Sequence, residues 1–246
     1  MTSAELLAEW RPEIRQVPSV ATTNTCSTCL GPTSGYPTCF PCGRKWAFHP
    51  EFAGACDLIV PATVAVQPSK WYSAVWHYKT GDVNFRSFAP VLAAVCREWL
   101  QEHAGRVADA MSGSPDLVTV VPSRNSPPPT RLARVVSWAI RNAPAMGDTP
   151  LEPAAVAFTG ERPSKHKHLF PESLKAAPAV AGQRILLVED TWVSGSTALS
   201  TAIALRRAGA LGVSLVSIAR MVYEDSMTPD YENAAVAPIE FSHWPR

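Results

Sequence analysis

Residues 185–198 read ILLVEDTWVSGSTA: four apolar residues, the acidic pair Glu189 and Asp190, and a short turn through Ser194, Gly195, Ser196 and Thr197. An apolar run closed by a glycine turn and followed by an amphipathic stretch predicts a buried strand leading into a helix. In an open α/β sheet, ligands bind beyond the carboxyl ends of the strands, where this strand delivers its next residues. The turn offers successive backbone N–H groups, Gly195 permits close approach and unusual dihedrals, and the helix amino end adds partial positive charge. That combination suits a phosphate. Hydroxyls of Ser194, Ser196 and Thr197 add donors, and ionised Glu189 and Asp190 can accept from two neighbouring sugar hydroxyls. The residues describe a clamp for a ribose 5-phosphate, and the lysine of the nucleotide-binding pattern GxxxxGK[ST] is missing. The competing reading is an ordinary strand-to-helix turn with a capping serine and two solvated acids.

Outward from this stretch, strand and helix patterns alternate. Residues 58–66 and 72–78 read as strands, 88–110 as a long helix with Val91, Leu92, Val95, Cys96 and Leu100 on one face, and 117–121 as a strand. A helix over 130–141 follows, then a short strand at 154–158 and a long polar excursion over 159–181. A helix over 196–208, closed by Gly209, and a strand over 213–219 complete a βαβ unit. The fold class expected is therefore α/β, a mostly parallel sheet with helices on both faces.

With 246 residues, 46% hydrophobic and 17% charged, the chain has material for a substantial core plus a small accessory module. The net charge of +1 recommends no nucleic-acid partner by itself. Residues 1–16 lack the basic start and long apolar run of a secretory signal, and no run reaches the ~20 apolar residues of a membrane span. A cytoplasmic protein without membrane insertion is expected. In that reducing setting clustered cysteines are more often metal ligands than disulfides. Cys26, Cys29, Cys39 and Cys42 form C-x2-C-x9-C-x2-C, two close pairs able to give four thiolates to a structural zinc ion. An iron–sulfur site or redox-active pairs are the alternatives. Few large apolar residues lie nearby, so the module would depend on zinc for its fold. Cys56 and Cys96 read as packing residues. The expected division is an N-terminal helix at 1–20, with Leu6, Leu7, Trp10 and Ile14 on one side; the four-cysteine module at 21–50; the main domain at 51–224; and an irregular arm at 225–246.

The stretch from Val188 to Thr197 resembles the signature of type I phosphoribosyltransferases, VDDVxTTGST. The acidic pair, glycine and final hydroxyls agree; Glu189, Thr191, Trp192 and Val193 depart from it. Together with the cysteine pairs, the segment HYKTGD with Lys79, the strand ending in Pro122 and Ser123, and the later LRRAGALGVSLVSIAR, the chain resembles the ComF family of competence-associated proteins. The family's arginine, asparagine and glutamine motif is poorly matched by SRNSPPPTRLARV. The resemblance implies binding of phosphoribosyl pyrophosphate with magnesium, through Lys79, Ser123, Arg124, Glu189, Asp190 and residues 193–197 (Val193 included), and a role in uptake of single-stranded DNA. Glu189, Asp190 and Arg124 are the catalytic candidates, with Arg124 facing the pyrophosphate. The solvated alternative stands for Arg124 and Lys79 alike. Arg162, Lys165, His166, Lys167 and His168 resemble the mobile loop of orotate-type enzymes, or form a solvated charge run. A non-catalytic sensor is the rival function, with Arg44, Lys45 and Trp46 engaging single-stranded nucleic acid.

Overall fold

The computed structural model describes residues 3–18, 22–80, 85–123, 130–160 and 169–244. Along the chain run α1 (Ser3–Trp10), α2 (Phe40–Phe48), β1 (Leu58–Val66), α3 (Lys70–Thr80), α4 (Phe85–Ala110), β2 (Leu117–Val120) and α5 (Arg131–Arg141). They are followed by β3 (Val156–Phe158), β4 (Leu174–Ala176), β5 (Arg184–Trp192), α6 (Ser196–Arg207), β6 (Gly212–Val222) and α7 (Pro229–Ala235). Four strands pair in the order β1-β6-β5-β2, every pair parallel, with β5 central and joined to β6 through α6. β3 and β4 form a separate antiparallel ribbon.

Alternation along the strands divides the core into two layers. Leu186, Val188, Val216 and Ile218 pack with side chains of α1, α3, α4 and α5. On the other face, Ile185, Leu187, Val213 and Leu215 pack with α6, the β3–β4 ribbon and the four cysteines. The expected α/β architecture, a parallel sheet covered on both sides with a cysteine cluster in the N-terminal part, is therefore present. No helix among the described residues is long and apolar enough to cross a membrane.

Three local differences from the sequence reading have physical causes. Residues 72–78, expected as a strand, lie in α3. Their alternation coexists with a helical repeat, and it is Trp71, Ala74, Val75 and Tyr78 that are buried. The Trp71 indole N–H donates to Thr63 Oγ1 at 3.1 Å, fixing that face against β1. Residues 154–158 contribute a strand that joins the ribbon with β4 and leaves the main sheet at four strands. The excursion over 159–181 is also less polar in effect than its composition suggests, because Leu169, Phe170, Leu174 and Val180 are buried in the α6-side core.

The two ends of the chain close the β1 edge. The Arg15 carbonyl accepts from the Val64 N–H at 3.0 Å, and the Ile14 carbonyl accepts from the Ile239 N–H at 3.1 Å. Pairing of this kind covers the exposed edge of a sheet. The stretch 225–246, read as an irregular arm, carries the short helix α7 and buries Tyr231, Ala235, Ile239 and Phe241 in the main core. Trp244 then packs against Trp99 and His103, with ring centroids 5.9 and 5.0 Å away.

Candidate functional site at the end of β5

The central strand runs farther than its apolar stretch. Glu189 pairs in register with Ser217, and Trp192 with Arg220, so the acidic pair belongs to the strand itself. Alternation without a bulge sends Glu189 to the α6 face and Asp190 to the α3–α5 face; the carboxylates straddle the strand. Neither turns out into bulk solvent: Glu189 is buried and Asp190 partly so. The Thr191 hydroxyl donates to Asp190 Oδ1 at 2.9 Å. Burial first, and then the charge of Asp190, push the Tyr78 phenol well above its ordinary range, so Tyr78 stays protonated beside that carboxylate.

Gly195 forms the corner between β5 and α6. Its φ of 69° and ψ of 8° are left-handed, and a Cβ there would lie 2.2 Å from Cζ2 of Trp192. The buried indole of Trp192 fills the space beneath the turn, a role its sequence position did not disclose. The first amides of α6 follow at once, where a helix's own carbonyls cannot reach. Ser194 and Thr197 are partly exposed at this corner and Val193 is exposed, whereas Ser196 is buried and its Oγ accepts from Ser194 Oγ at 3.1 Å. On the neighbouring strand, the Val121 N–H donates to the Val188 carbonyl at 2.9 Å. The chain therefore leaves β2 alongside the acidic pair, with Ser123 exposed.

Other predicted site residues fall differently. Lys79, expected just after a strand, belongs to the last turn of α3, and its side chain lies outside the described residues. Arg124 and the cluster Arg162, Lys165, His166, Lys167 and His168 also lie outside them.

The four cysteine sulfurs lie within 4.8 Å of one another, and all four residues are buried. Cys26 and Cys29 sit on a tight knuckle in which the Cys26 N–H donates to the Gly31 carbonyl at 2.8 Å. Cys39 and Cys42 flank the start of α2. The separation of Cys29 and Cys39 sulfurs is 3.6 Å, close to the ~3.8 Å that a tetrahedral site with ~2.3 Å metal–sulfur bonds requires. The donor set fits a metal such as zinc, and four thiolates leave no open position for chemistry. The cluster is not a free-standing module, since it shares a core with Phe52, Trp192 and Leu199. Burial pushes the thiols of Cys56 and Cys96 up to about 12, consistent with packing roles.

Two residues tie this cluster to the turn, and both escaped the sequence reading in that role. Lys45, expected to meet nucleic acid, is only 2% exposed and donates Nζ to the Ser194 carbonyl at 2.6 Å and the Pro41 carbonyl at 3.3 Å. Arg220, 6% exposed at the far end of β6, donates Nη1 to the carbonyls of Trp192, at 3.1 Å, and Val193. Burial works against the Arg220 charge, but sulfurs of Cys29, Cys39 and Cys42 help hold it above its ordinary value. Burial lowers Lys45, opposed by Cys42, Cys39 and Cys29. The side chain of Trp46 lies outside the described residues. Beside the turn opens a cleft of about 640 Å³ lined by Tyr36, Phe40, Arg44, Val193 and Tyr223, with the Arg44 guanidinium 5.5 Å from the Phe40 ring centre.

Comparison of the sequence with protein-family profiles and with curated proteins gave no match. Among solved structures, one of the allosteric regulatory enzyme of purine biosynthesis is similar at 27% identity, with a TM-score of 0.31, over 50% of this chain and 25% of that one. The chain thus corresponds to about a quarter of that protein's length.

Proposed function

We propose that the chain is a phosphoribosyltransferase-type protein whose substrate is the magnesium complex of phosphoribosyl pyrophosphate. The observation that carries this reading is the corner at Gly195: a left-handed glycine at the carboxyl end of a central parallel strand, the first amides of α6 beside it, and two carboxylates straddling the same strand. The amides and the hydroxyls of Ser194 and Thr197 hold the 5-phosphate, while Asp190, the partly exposed acid, accepts from the ribose hydroxyls and Glu189 adds its charge from the other face of β5. As the bond from the anomeric carbon to pyrophosphate lengthens, the carboxylates stabilise positive charge on the ribose, and Arg124, beyond β2, stabilises the departing pyrophosphate. A nitrogen nucleophile then takes the anomeric carbon. The four thiolates hold zinc as a structural ion, and the resemblance to ComF proteins extends the proposal to a cytoplasmic role in DNA uptake.

The rival, a sensor that binds the sugar phosphate without chemistry and holds single-stranded nucleic acid, is supported by the cleft. Tyr36 and Phe40 are exposed there beside Arg44, an arrangement suited to base stacking with phosphate contact. Calorimetry of phosphoribosyl pyrophosphate with and without magnesium, followed by pyrophosphate release with a panel of nitrogen acceptors, tests both. Tight binding and release that Asp190→Asn abolishes are the result expected of the enzyme. Tight binding with no release favours the sensor, and absence of binding refutes the sugar-phosphate reading altogether.

A further inference from the structure

The carbonyls of Trp192, Val193 and Ser194 are consecutive, and each accepts from a buried cation: the first two from Arg220, the third from Lys45. In a trans peptide the C=O of one residue points opposite to the N–H of the next. Holding these three carbonyls toward Arg220 and Lys45 therefore aims the N–H groups of Val193, Ser194 and Gly195 the other way.

The cysteine cluster lies beside both cations: Lys45 is on α2 three residues after Cys42 and donates to the carbonyl of Pro41, and the Gly31 knuckle abuts Arg220. A buried guanidinium or ammonium is costly unless it is paired. Four thiolates around a divalent ion carry two net negative charges, equal and opposite to those of Lys45 and Arg220. The contact is also steric: Gly31, on the first cysteine knuckle, leaves no room for a side chain, because a Cβ would lie 2.5 Å from Nη2 of Arg220. One face of the guanidinium is thus bounded by the knuckle, while its Nη1 grips the turn.

We propose that Lys45 and Arg220 are positioning residues through which metal occupancy of the four-cysteine cluster sets the anion-binding form of the 193–195 turn. The role assigned to that turn rests on the sugar-phosphate reading above. The link itself does not. Metal loading, on this account, is a condition for binding phosphoribosyl pyrophosphate, and by reciprocity the ligand stabilises the metal site.

The test uses the full chain loaded with zinc, and the variants Arg220→Met, Lys45→Met and Gly31→Ala. Zinc content, magnesium-dependent binding of phosphoribosyl pyrophosphate, and hydrogen exchange at the amides of 193–195 are measured on each. The expected result is zinc retained at the wild-type ratio, affinity lowered at least tenfold, and faster exchange at those amides, with Arg220→Lys recovering part of both losses. Variants that keep zinc and show wild-type exchange at 193–195 overturn the link, whatever the ligand does. If the unaltered protein fails to bind phosphoribosyl pyrophosphate while the variants still speed exchange, the ligand reading falls and the link stands.

Discussion

Replacing Gly195 with alanine tests the geometry at the corner of the site, and its size can be worked out beforehand. At φ 69° an L-residue pays about 1–2 kcal/mol for the left-handed backbone. The new Cβ would also lie 2.2, 2.5 and 2.7 Å from Cζ2, Cε2 and Cη2 of Trp192, against the ~3.5–4.0 Å of ordinary carbon contact. The indole cannot swing clear, because it is buried in the core with Leu199 and Ile203. Overpacking of this kind costs about 1–3 kcal/mol. Together the two terms give about 2–5 kcal/mol, a large part of the ~5–15 kcal/mol that holds a domain folded.

Thermal unfolding should therefore show Gly195→Ala melting on the order of 10 °C below the parent, since each kcal/mol moves a chain of this size by about 2–4 °C. Binding of phosphoribosyl pyrophosphate should weaken at least tenfold, as the turn yields together with the ring. A double-mutant cycle with Trp192→Leu separates the terms. Leucine removes the clash and leaves the backbone term, so the double variant should be more stable than the summed singles predict by about 1–3 kcal/mol. Additivity within about 0.5 kcal/mol, or a Gly195→Ala protein within 1 kcal/mol of the parent, would refute the placement of the indole under the turn.

Burial holds His103 down at about 4, against 6.5 for the free side chain, between the rings of Trp99 and Trp244. A depressed histidine contributes stability in full above pH 6.5 and loses it as pH falls toward 4, amounting to about 3 kcal/mol. Urea melts from pH 8 to 4.5 should show this slope, and His103→Gln should flatten it; an unchanged slope in the variant would assign the loss elsewhere. At the start of α5, Thr130 Oγ1 accepts from the Ala133 N–H at 3.1 Å, so Thr130→Ala should cost about 1 kcal/mol in the same melts, and a loss under 0.3 kcal/mol would discount the cap.

What could be read in advance was whatever local pattern decides alone. The helix over Arg131–Arg141 announced itself through Leu132, Val135, Val136 and Ile140 on one side, and all four are buried; the cap at Thr130 was not read. The strand beginning near Ile185 was equally legible, as was the turn at Gly195. Residues 72–78 were ambiguous because Tyr72, Ala74, Trp76 and Tyr78 satisfy a period of two while Trp71, Ala74, Val75 and Tyr78 satisfy a helical one. Burial against Thr63 chose between them, and burial is not a local property. The straddling of β5 by Glu189 and Asp190 was hidden for a related reason: apolar content marks where a strand is buried, whereas this strand continues through three polar residues by pairing with β6.

Lys45 and Arg220 pose the harder case, because the contact that buries Lys45 joins positions 149 residues apart. Arg220 nevertheless leaves a trace. It is the sole charged residue in GVSLVSIARMV, a strand buried along its whole length. Arginine in such a setting must find negative charge or acceptors, since an unpaired guanidinium there would cost more than the strand's neighbours can return. Carbonyls of the turn supply the acceptors, and the sulfurs of Cys29, Cys39 and Cys42 favour the charge. The cysteine pattern and the glycine turn, which look like independent motifs along the chain, are thus required to meet by the electrostatics of one arginine. A reading that asks of every charged residue in an apolar strand what must lie beside it would have drawn the two together before any fold was known.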